Sequence, residues 1–322
     1  MKFSVSDITQ KVKEAEKRIN EYKRETAVEF SPYLSEKGEC NVYLKLENQQ
    51  LTGSFKIRGA LNKILSLPKD KFVITASTGN HGLAVAHALN ITKGSGIIYL
   101  PETTAKTKVK ALLKTNAEIV FQGNDSQETE VYARNVARKE GKEFISPYND
   151  IEIIGGQGTI AAELIKQIDK IDVLLVSVGG GGLIAGIAGY LKSINPDVEI
   201  IGCFPENSPV MYKSIKQGKI VEMISKPTLS DGTAGGIEPN AITFELCKEL
   251  IDDCILVTEE EIAGAIRIIV KKHHMIIEGA AGVTVASFLK SKKRFKGKNV
   301  VLVLCGANIG FEQLRNIICS IP

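Results

Sequence analysis

The sequence predicts an α/β fold: two open, mostly parallel sheets covered by helices. Three observations carry this reading. Short apolar runs alternate with helically spaced segments along the chain, with no repeat or low-complexity stretch. Strands that alternate with helices imply parallel sheets buried on both faces. A length of 322 residues suggests about two domains rather than one.

The runs form two series. In the first, Phe72–Ala76, Gly96–Leu100, Glu118–Phe121 and Glu143–Ile145 read as strands, and Leu83–Leu89 as a helix. In the second, Asp172–Val178, Val198–Cys203, Cys254–Val257 and Asn299–Leu304 read as strands. After Gly182 the apolar spacing of Leu183, Ile184, Ile187 and Leu191 turns helical. Met1 to Arg24 reads as a charged amphipathic helix, whose acidic residues set it apart from a signal or transit peptide. Two sheets leave a cleft between them, the usual place for a bound group.

Composition narrows the function. With 43% hydrophobic and 24% charged residues and no long apolar run, the chain reads as an ordinary soluble globular protein. A net charge of +4, from 41 basic and 37 acidic residues, argues for neither nucleic acid nor membrane as a partner. The basic cluster Lys290 to Lys296 reads as a solvated helix end and loop. Six cysteines without a Cys-x-x-Cys spacing fit reduced thiols, and hence the cytoplasm, better than disulfides.

Four segments carry chemistry. Gly53-Ser54-Phe55-Lys56-Ile57-Arg58-Gly59-Ala60 sets one lysine among small and apolar residues. A desolvated lysine has a lowered pKa and forms Schiff bases, although most lysines are solvated surface charges. Ser177-Val178-Gly179-Gly180-Gly181-Gly182-Leu183 joins a strand to a helix. Four glycines let backbone N–H groups converge at a helix N-terminus, which makes an anion site. The pattern is neither Gly-x-Gly-x-x-Gly nor a P-loop. Lysine nucleophile and phosphate cradle together suggest a phosphorylated aldehyde, pyridoxal phosphate. Ser77-Thr78-Gly79-Asn80-His81 at another strand-to-helix turn suits a substrate carboxylate, and reads equally as an ordinary N-cap. Cys305 ends the last strand, where ligands of open sheets gather. A buried, inert cysteine is the plainer alternative.

In this order and spacing, the four segments resemble the pyridoxal-phosphate-dependent serine/threonine dehydratase and serine racemase family, the β-family or fold type II, over roughly Ser4 to Ile318. The resemblance implies a tryptophan synthase β-like fold with the cofactor between domains. Residues 1–70 and 150–322 would form a large domain, and 71–149 a small inserted one. Lys56 matches the Schiff-base lysine of Ser-Phe-Lys-x-Arg-Gly-Ala, with Phe55 beside the cofactor. Gly179, Gly180, Gly181 and Gly182, with the N–H of Leu183, match the phosphate loop. Asn80 matches the asparagine on the cofactor's ring oxygen, and Ser77, Thr78, Gly79, Asn80 and His81 the substrate-carboxylate loop. Cys305 falls opposite the pyridine nitrogen, and Glu278 matches a glutamate near the ring, though a glutamate at a helix N-terminus explains it nearly as well. Threonine synthases carry an acidic residue where this chain has Ile57, which favours the dehydratase branch.

The activity so implied is β-elimination from L-threonine or L-serine, giving 2-oxobutanoate or pyruvate and ammonia, with Lys56 as base. A small hydroxy amino acid would be the ligand, and a homodimer the assembly. Alternatives are a serine racemase or a lyase for 3-hydroxyaspartate or another hydroxylated amino acid. From a different class, a non-catalytic cofactor carrier is disfavoured by the intact Lys56 segment. Thr78 keeps the hydroxyl that racemase relatives use on the face opposite the lysine, as serine. No arginine stands in Asp125 to Glu130 to bind a second carboxylate. Some relatives bind a divalent cation after the strand near Cys203; here Phe204 and Val210 occupy the ligand positions, and Glu206 alone does not make a site, so no metal is expected. His87, His273 and His274 lack partners at ligand spacing. Only a short helix follows the last strand, so inhibition by isoleucine through a C-terminal effector domain is not expected.

Overall fold

In the computed structural model, which describes residues 3–104, 109, 112, 115 and 117–320, ten strands assemble into two sheets. Met1 and Lys2 of the expected N-terminal helix lie outside the described residues. That helix, α1 (Val5–Ile19), begins at a capping box in which Ser4 and Asp7 satisfy each other's backbone N–H. Its buried stripe is Ile8, Val12, Ala15 and Ile19, at helical spacing.

The chain then enters a six-stranded sheet through β1 (Val28–Phe30), α2 (Pro32–Gly38) and β2 (Asn41–Lys45). After α3 (Lys56–Ser66) comes a four-stranded parallel sheet, from β3 (Val73–Ala76), β4 (Gly96–Leu100), β5 (Glu118–Phe121) and β6 (Glu143–Phe144), ordered β5-β4-β3-β6. Two of its helices are α4 (Asn80–Thr92) and α5 (Ser126–Lys139). Past α6 (Ile151–Gln167) the chain returns to the larger sheet with β7 (Val173–Ser177), α7 (Gly182–Ile194), β8 (Glu199–Pro205), α8 (Val210–Gln217), α9 (Ile242–Leu250), β9 (Asp253–Val257), α10 (Glu259–His273), α11 (Gly279–Ser291), β10 (Asn299–Val303) and α12 (Phe311–Cys319). The order there is β1-β2-β10-β7-β8-β9, parallel except for β1, which runs antiparallel to β2 on the edge.

All eight expected strands are present, Gly96–Leu100 and Glu118–Phe121 with the expected bounds and the other six shifted at one or both ends by a residue or two, and α4 extends past the expected Leu83–Leu89 at both ends. Two strands were not expected, β1 and β2. Both are short, and β2 includes Lys45, fully buried where a core strand would carry an apolar residue. The basic run after α11 closes as a 3-10 turn over Lys292–Phe295, with Phe295 buried beneath it. All six cysteines are free thiols.

Two packing features position the cleft. Ile57, Ala60, Leu61 and Ile64 of α3 join Val73, Ala84, Val85 and Ile145 in one apolar cluster, so the helix that starts at Lys56 also covers the small sheet. Behind it, α6 packs closely against α1, α3 and α7 through glycines. A Cβ on Gly156 would lie 2.6 Å from the carbonyl oxygen of Arg58, and one on Gly186 would lie 2.3 Å from that of Ile154. Backbone atoms cannot move aside as side-chain tips can. Gly186→Ala should therefore force α6 and α7 apart and destabilise the fold by about 1–3 kcal/mol, the usual cost of overpacking. Urea unfolding checks this, and an unchanged midpoint would contradict such close packing.

Candidate active site

Neighbouring strands β2, β10 and β7 deliver three of the expected segments to one edge of the large sheet. Lys45 at the end of β2 pairs with Val303 at the end of β10, and Leu302 pairs with Leu175 of β7. Beyond these ends lie the segment leading to Lys56, the Cys305–Asn308 turn and the glycine loop. The first two are laced together: Phe55 N–H donates to the Cys305 carbonyl (3.1 Å), and Ala307 N–H to that of Gly53 (2.8 Å). Ser177, last in β7, puts its hydroxyl 3.5 Å from the Cys305 thiol.

Lys56 is the first residue of α3, and its ammonium donates to the Pro147 carbonyl at 2.7 Å. The same nitrogen lies 5.3 Å from the centre of the Phe55 ring. Burial pulls its pKa down to about 8, against the opposing pull of Cys305, Glu278 and Glu130. An amine in that range loses its proton near neutrality, as Schiff-base chemistry needs. The Cys305 thiol is buried, which raises its pKa far above the free value and keeps it neutral.

The glycine loop is built from close approaches. A Cβ on Gly180 would lie 2.4 Å from the Tyr148 ring, and one on Gly179 would lie 2.8 Å from the Thr233 backbone. Gly181 has a φ of +87°, which favours glycine, and serves as N-cap of α7. Gly182, Leu183 and Ile184 therefore form the first turn of α7, where backbone N–H groups have no intrahelical acceptor and the helix dipole adds partial positive charge.

Across the cleft, β3 ends in Ser77–Gly79 and α4 starts at Asn80. The Ser77 hydroxyl accepts from Gly79 N–H (3.2 Å), which folds the turn, and no side chain caps α4. Its N-terminus is thus left for an anion. The Thr78 hydroxyl makes no hydrogen bond among the described residues. The His81 ring lies 3.0 Å from the Ile145 carbonyl, and burial holds its pKa down to about 3. It is a neutral strut of the small sheet, and only its backbone is left to the loop.

Asn80 reaches the other sheet. Its amide nitrogen lies 2.9 and 3.0 Å from the two carboxylate oxygens of Glu278, and its oxygen accepts from Asn308 (2.6 Å). Glu278 is the N-cap residue of α11, yet its side chain makes no capping bond and turns into the cleft instead. Burial raises its pKa to about 7, opposed by the bonds from Asn80 and the Asn308 N–H. The expected reach of Asn80 toward a ring oxygen therefore competes with Glu278.

Comparison with known proteins agrees with this geometry. Residues 19–306 match the family model described as "Pyridoxal-phosphate dependent enzyme". The chain belongs to that family. An L-threonine ammonia-lyase of Thermotoga maritima is 39% identical over 310 residues, covering 95% of this chain and 77% of that protein. The processed form of threonine deaminase isoform 2 from Solanum lycopersicum superposes with a TM-score of 0.93 at 32% identity, over 99% of this chain and 95% of that one. Maize serine racemase gives 0.90 at 29% identity, over 95% of each chain.

In this pyridoxal-phosphate dependent enzyme the residues present fit the cofactor: an amine near pH 8 for its aldehyde, helix N–H groups for its phosphate and a neutral thiol for its ring nitrogen. Among the described residues no cluster of three His, Cys, Asp or Glu is placed to hold a metal, and Glu206 lies 3.6 Å from the Lys290 ammonium. Sequence reasoning missed Tyr148, Ser177 and Asn308. Tyr148 and Asn308 stand in short turns directly after predicted strands, and those turns were the available signal. The low pKa of Lys56 predicts that cofactor-free protein takes up pyridoxal phosphate faster as pH rises to about 8, with a plateau above. Stopped-flow absorbance checks this. A rate still climbing toward 10.5, the ordinary lysine value, would show a solvated amine.

Proposed function

We propose that this enzyme is a threonine/serine ammonia-lyase, converting L-threonine or L-serine to 2-oxobutanoate or pyruvate plus ammonia. The observation that carries the reading is the Lys56 amine, poised near pH 8 at the meeting point of the glycine loop and the Cys305 turn. The name and 39% identity of the Thermotoga maritima relative support it. Residues 71–149 would act as an inserted small unit, with 1–70 and 150–322 as the large one. The six free thiols support a reducing, cytoplasmic setting, and a homodimer rests on the resemblance alone.

Pyridoxal phosphate, when bound, supplies the electron sink for the bond broken at the substrate α-carbon. The protein does the rest. N–H groups of the glycine loop and of Leu183 bind the phosphate, and those at the start of α4, with Ser77 and Thr78, bind the substrate carboxylate. Lys56, once deprotonated, takes the α-proton at Nζ, and the Pro147 carbonyl holds the resulting ammonium in place. The buried, neutral Cys305 thiol would offer the ring nitrogen a hydrogen bond without a charge, so the bound cofactor would be a weaker electron sink than one held by a carboxylate. The net change is release of ammonia and formation of a 2-oxo acid.

Thr78 favours a second reading, racemisation. Its hydroxyl has no protein partner among the described residues and could exchange a proton on the face opposite Lys56. A panel of hydroxy amino acids, read by keto-acid formation with dinitrophenylhydrazine and by chiral chromatography, separates the two. Threonine and serine should give keto acid as the main product, and Lys56→Ala should abolish it. D-serine as the main product would assign the racemase instead, and full turnover in Lys56→Ala would remove this site. Cys305→Asp should lower the ratio of elimination to racemised or transaminated product, whereas Cys305→Ser changes little. Equal ratios in all three proteins would make Cys305 a packing residue only.

A further inference from the structure

The turn Ser146–Asn149 touches both halves of the site. Its Pro147 carbonyl accepts from Lys56, and Tyr148 lies against the glycine loop, with its ring over Gly180 and its backbone and Cβ beside Gly182. One side chain organises that turn: Glu238, which lies between the Asp231–Thr233 3-10 turn and α9, on the large-sheet side. Its carboxylate accepts from Asn149 Nδ2 (2.9 Å) and from the Ser146 hydroxyl (3.4 Å), and its own N–H donates to Tyr148 Oη (2.8 Å). Asn149 closes the arrangement by accepting from Ile242 N–H at 2.9 Å.

The remaining partner of Glu238 comes from the other sheet. Arg134, on α5, places Nη2 2.5 Å from Glu238 Oε1. Arg134 is itself held from its own side, by Glu130 one helical turn earlier (2.9 Å from Nε) and by the Phe144 ring 4.1 Å from its guanidinium carbon. Helix α5 packs on β3, β4 and β6, so it moves with the small sheet. The pair Arg134–Glu238 therefore crosses the cleft and ends on the turn that touches Lys56 and the glycine loop.

We infer that Glu238 is a positioning residue, and that Arg134 docking on it couples the seating of the small sheet to the placement of Lys56 and of Tyr148 over the phosphate loop. The inference rests on the roles proposed above for Lys56 and the glycine loop. A half-buried charged pair that also organises a turn should be energetically coupled to it, since groups in one hydrogen-bonded network show strong non-additivity.

The test is a double-mutant cycle on the holoenzyme with Glu238→Ala, Arg134→Ala and the double variant. Cofactor retention is read by equilibrium dialysis, kcat and KM by keto-acid release, and folding by circular dichroism. Each single change should weaken retention by about tenfold and lower kcat more than it raises KM, and the double variant should be no worse than the worse single one. Multiplying effects in the double variant, or native retention in Glu238→Ala, would overturn the inference. So would a lowered melting temperature with unchanged retention in the folded fraction, the mark of a merely structural role. If Glu238→Ala does not fold, Glu238→Gln replaces it, and must match the loss of Arg134→Ala or the inference fails. Lys56→Ala separates the two levels: borohydride-fixed cofactor persisting in that variant would sink the site assignment itself. Its loss there, with native retention in the Glu238 variants, would sink only the coupling.

Discussion

Everything at the cleft hangs on how Arg58 is held. Two residues after Lys56, its guanidinium is fully buried and forks onto two carboxylates, Glu47 (2.8 Å from Nε and from Nη2) and Glu163 (2.7 and 2.8 Å). Lys45 and Lys23 each add an ammonium 2.6 Å from Glu163, and the Thr26 hydroxyl donates to Glu47. Four separate stretches of chain thus meet in one charged cluster. Burying such charges is costly, and removing a single partner typically costs about 3–5 kcal/mol because the rest are left uncompensated. What the cluster provides is geometry: α3 cannot rotate or slide without breaking a forked pair, so the first residue of α3 is fixed in space.

The same burial has opposite consequences a few ångströms apart. Burial works against the charges of Arg58 and Glu163, yet their mutual hydrogen bonds prevail, and Glu163 stays ionised with a pKa of about 2. Neither of these two groups changes charge near neutrality. Lys56 and Glu278 have hydrogen-bond partners but no oppositely charged group in such close contact, and desolvation dominates: the lysine falls to about 8 and the glutamate rises to about 7. Both then titrate within reach of physiological pH, which suits groups that exchange protons. The division of labour lies in the charged partners supplied.

This explains what the sequence disclosed and what it withheld. Parallel strands ending in turns that contain glycine announce themselves locally, so β3, β7 and β10 could be read from a few consecutive residues. β2 could not, because Lys45 breaks its apolar pattern and becomes acceptable only through distant partners, chiefly the Glu163 carboxylate 118 positions away. Lys56, the glycine loop and the Ser77–His81 turn were legible as local chemistry, and the family resemblance joined them into one site. His81 shows the limit of that reading: a polar residue in a binding-type turn whose ring is used by the small sheet. Glu238 had no local signature, since its meaning arises only when Arg134, 104 positions earlier, folds against it.

The two sheets are joined in different ways at the back and at the front of the cleft. Behind it, the apolar face of α3 seals onto the small sheet's core, a contact that is strong, non-directional and indifferent to what occupies the site. At the front the contacts are polar: Asn80 to Glu278, Asn308 to Asn80, and Arg134 to Glu238. Hydrogen bonds of this kind contribute little net energy, because an equivalent partner can replace the one lost. Another acceptor could take the place of the Glu278 carboxylate on Asn80, whereas nothing can replace the packing of Ile57 and Leu61. Bound groups can therefore rearrange the front of the cleft without disturbing its back. Lys56, the proposed base, sits at the junction, on the helix that the apolar seal and the Arg58 cluster together hold still.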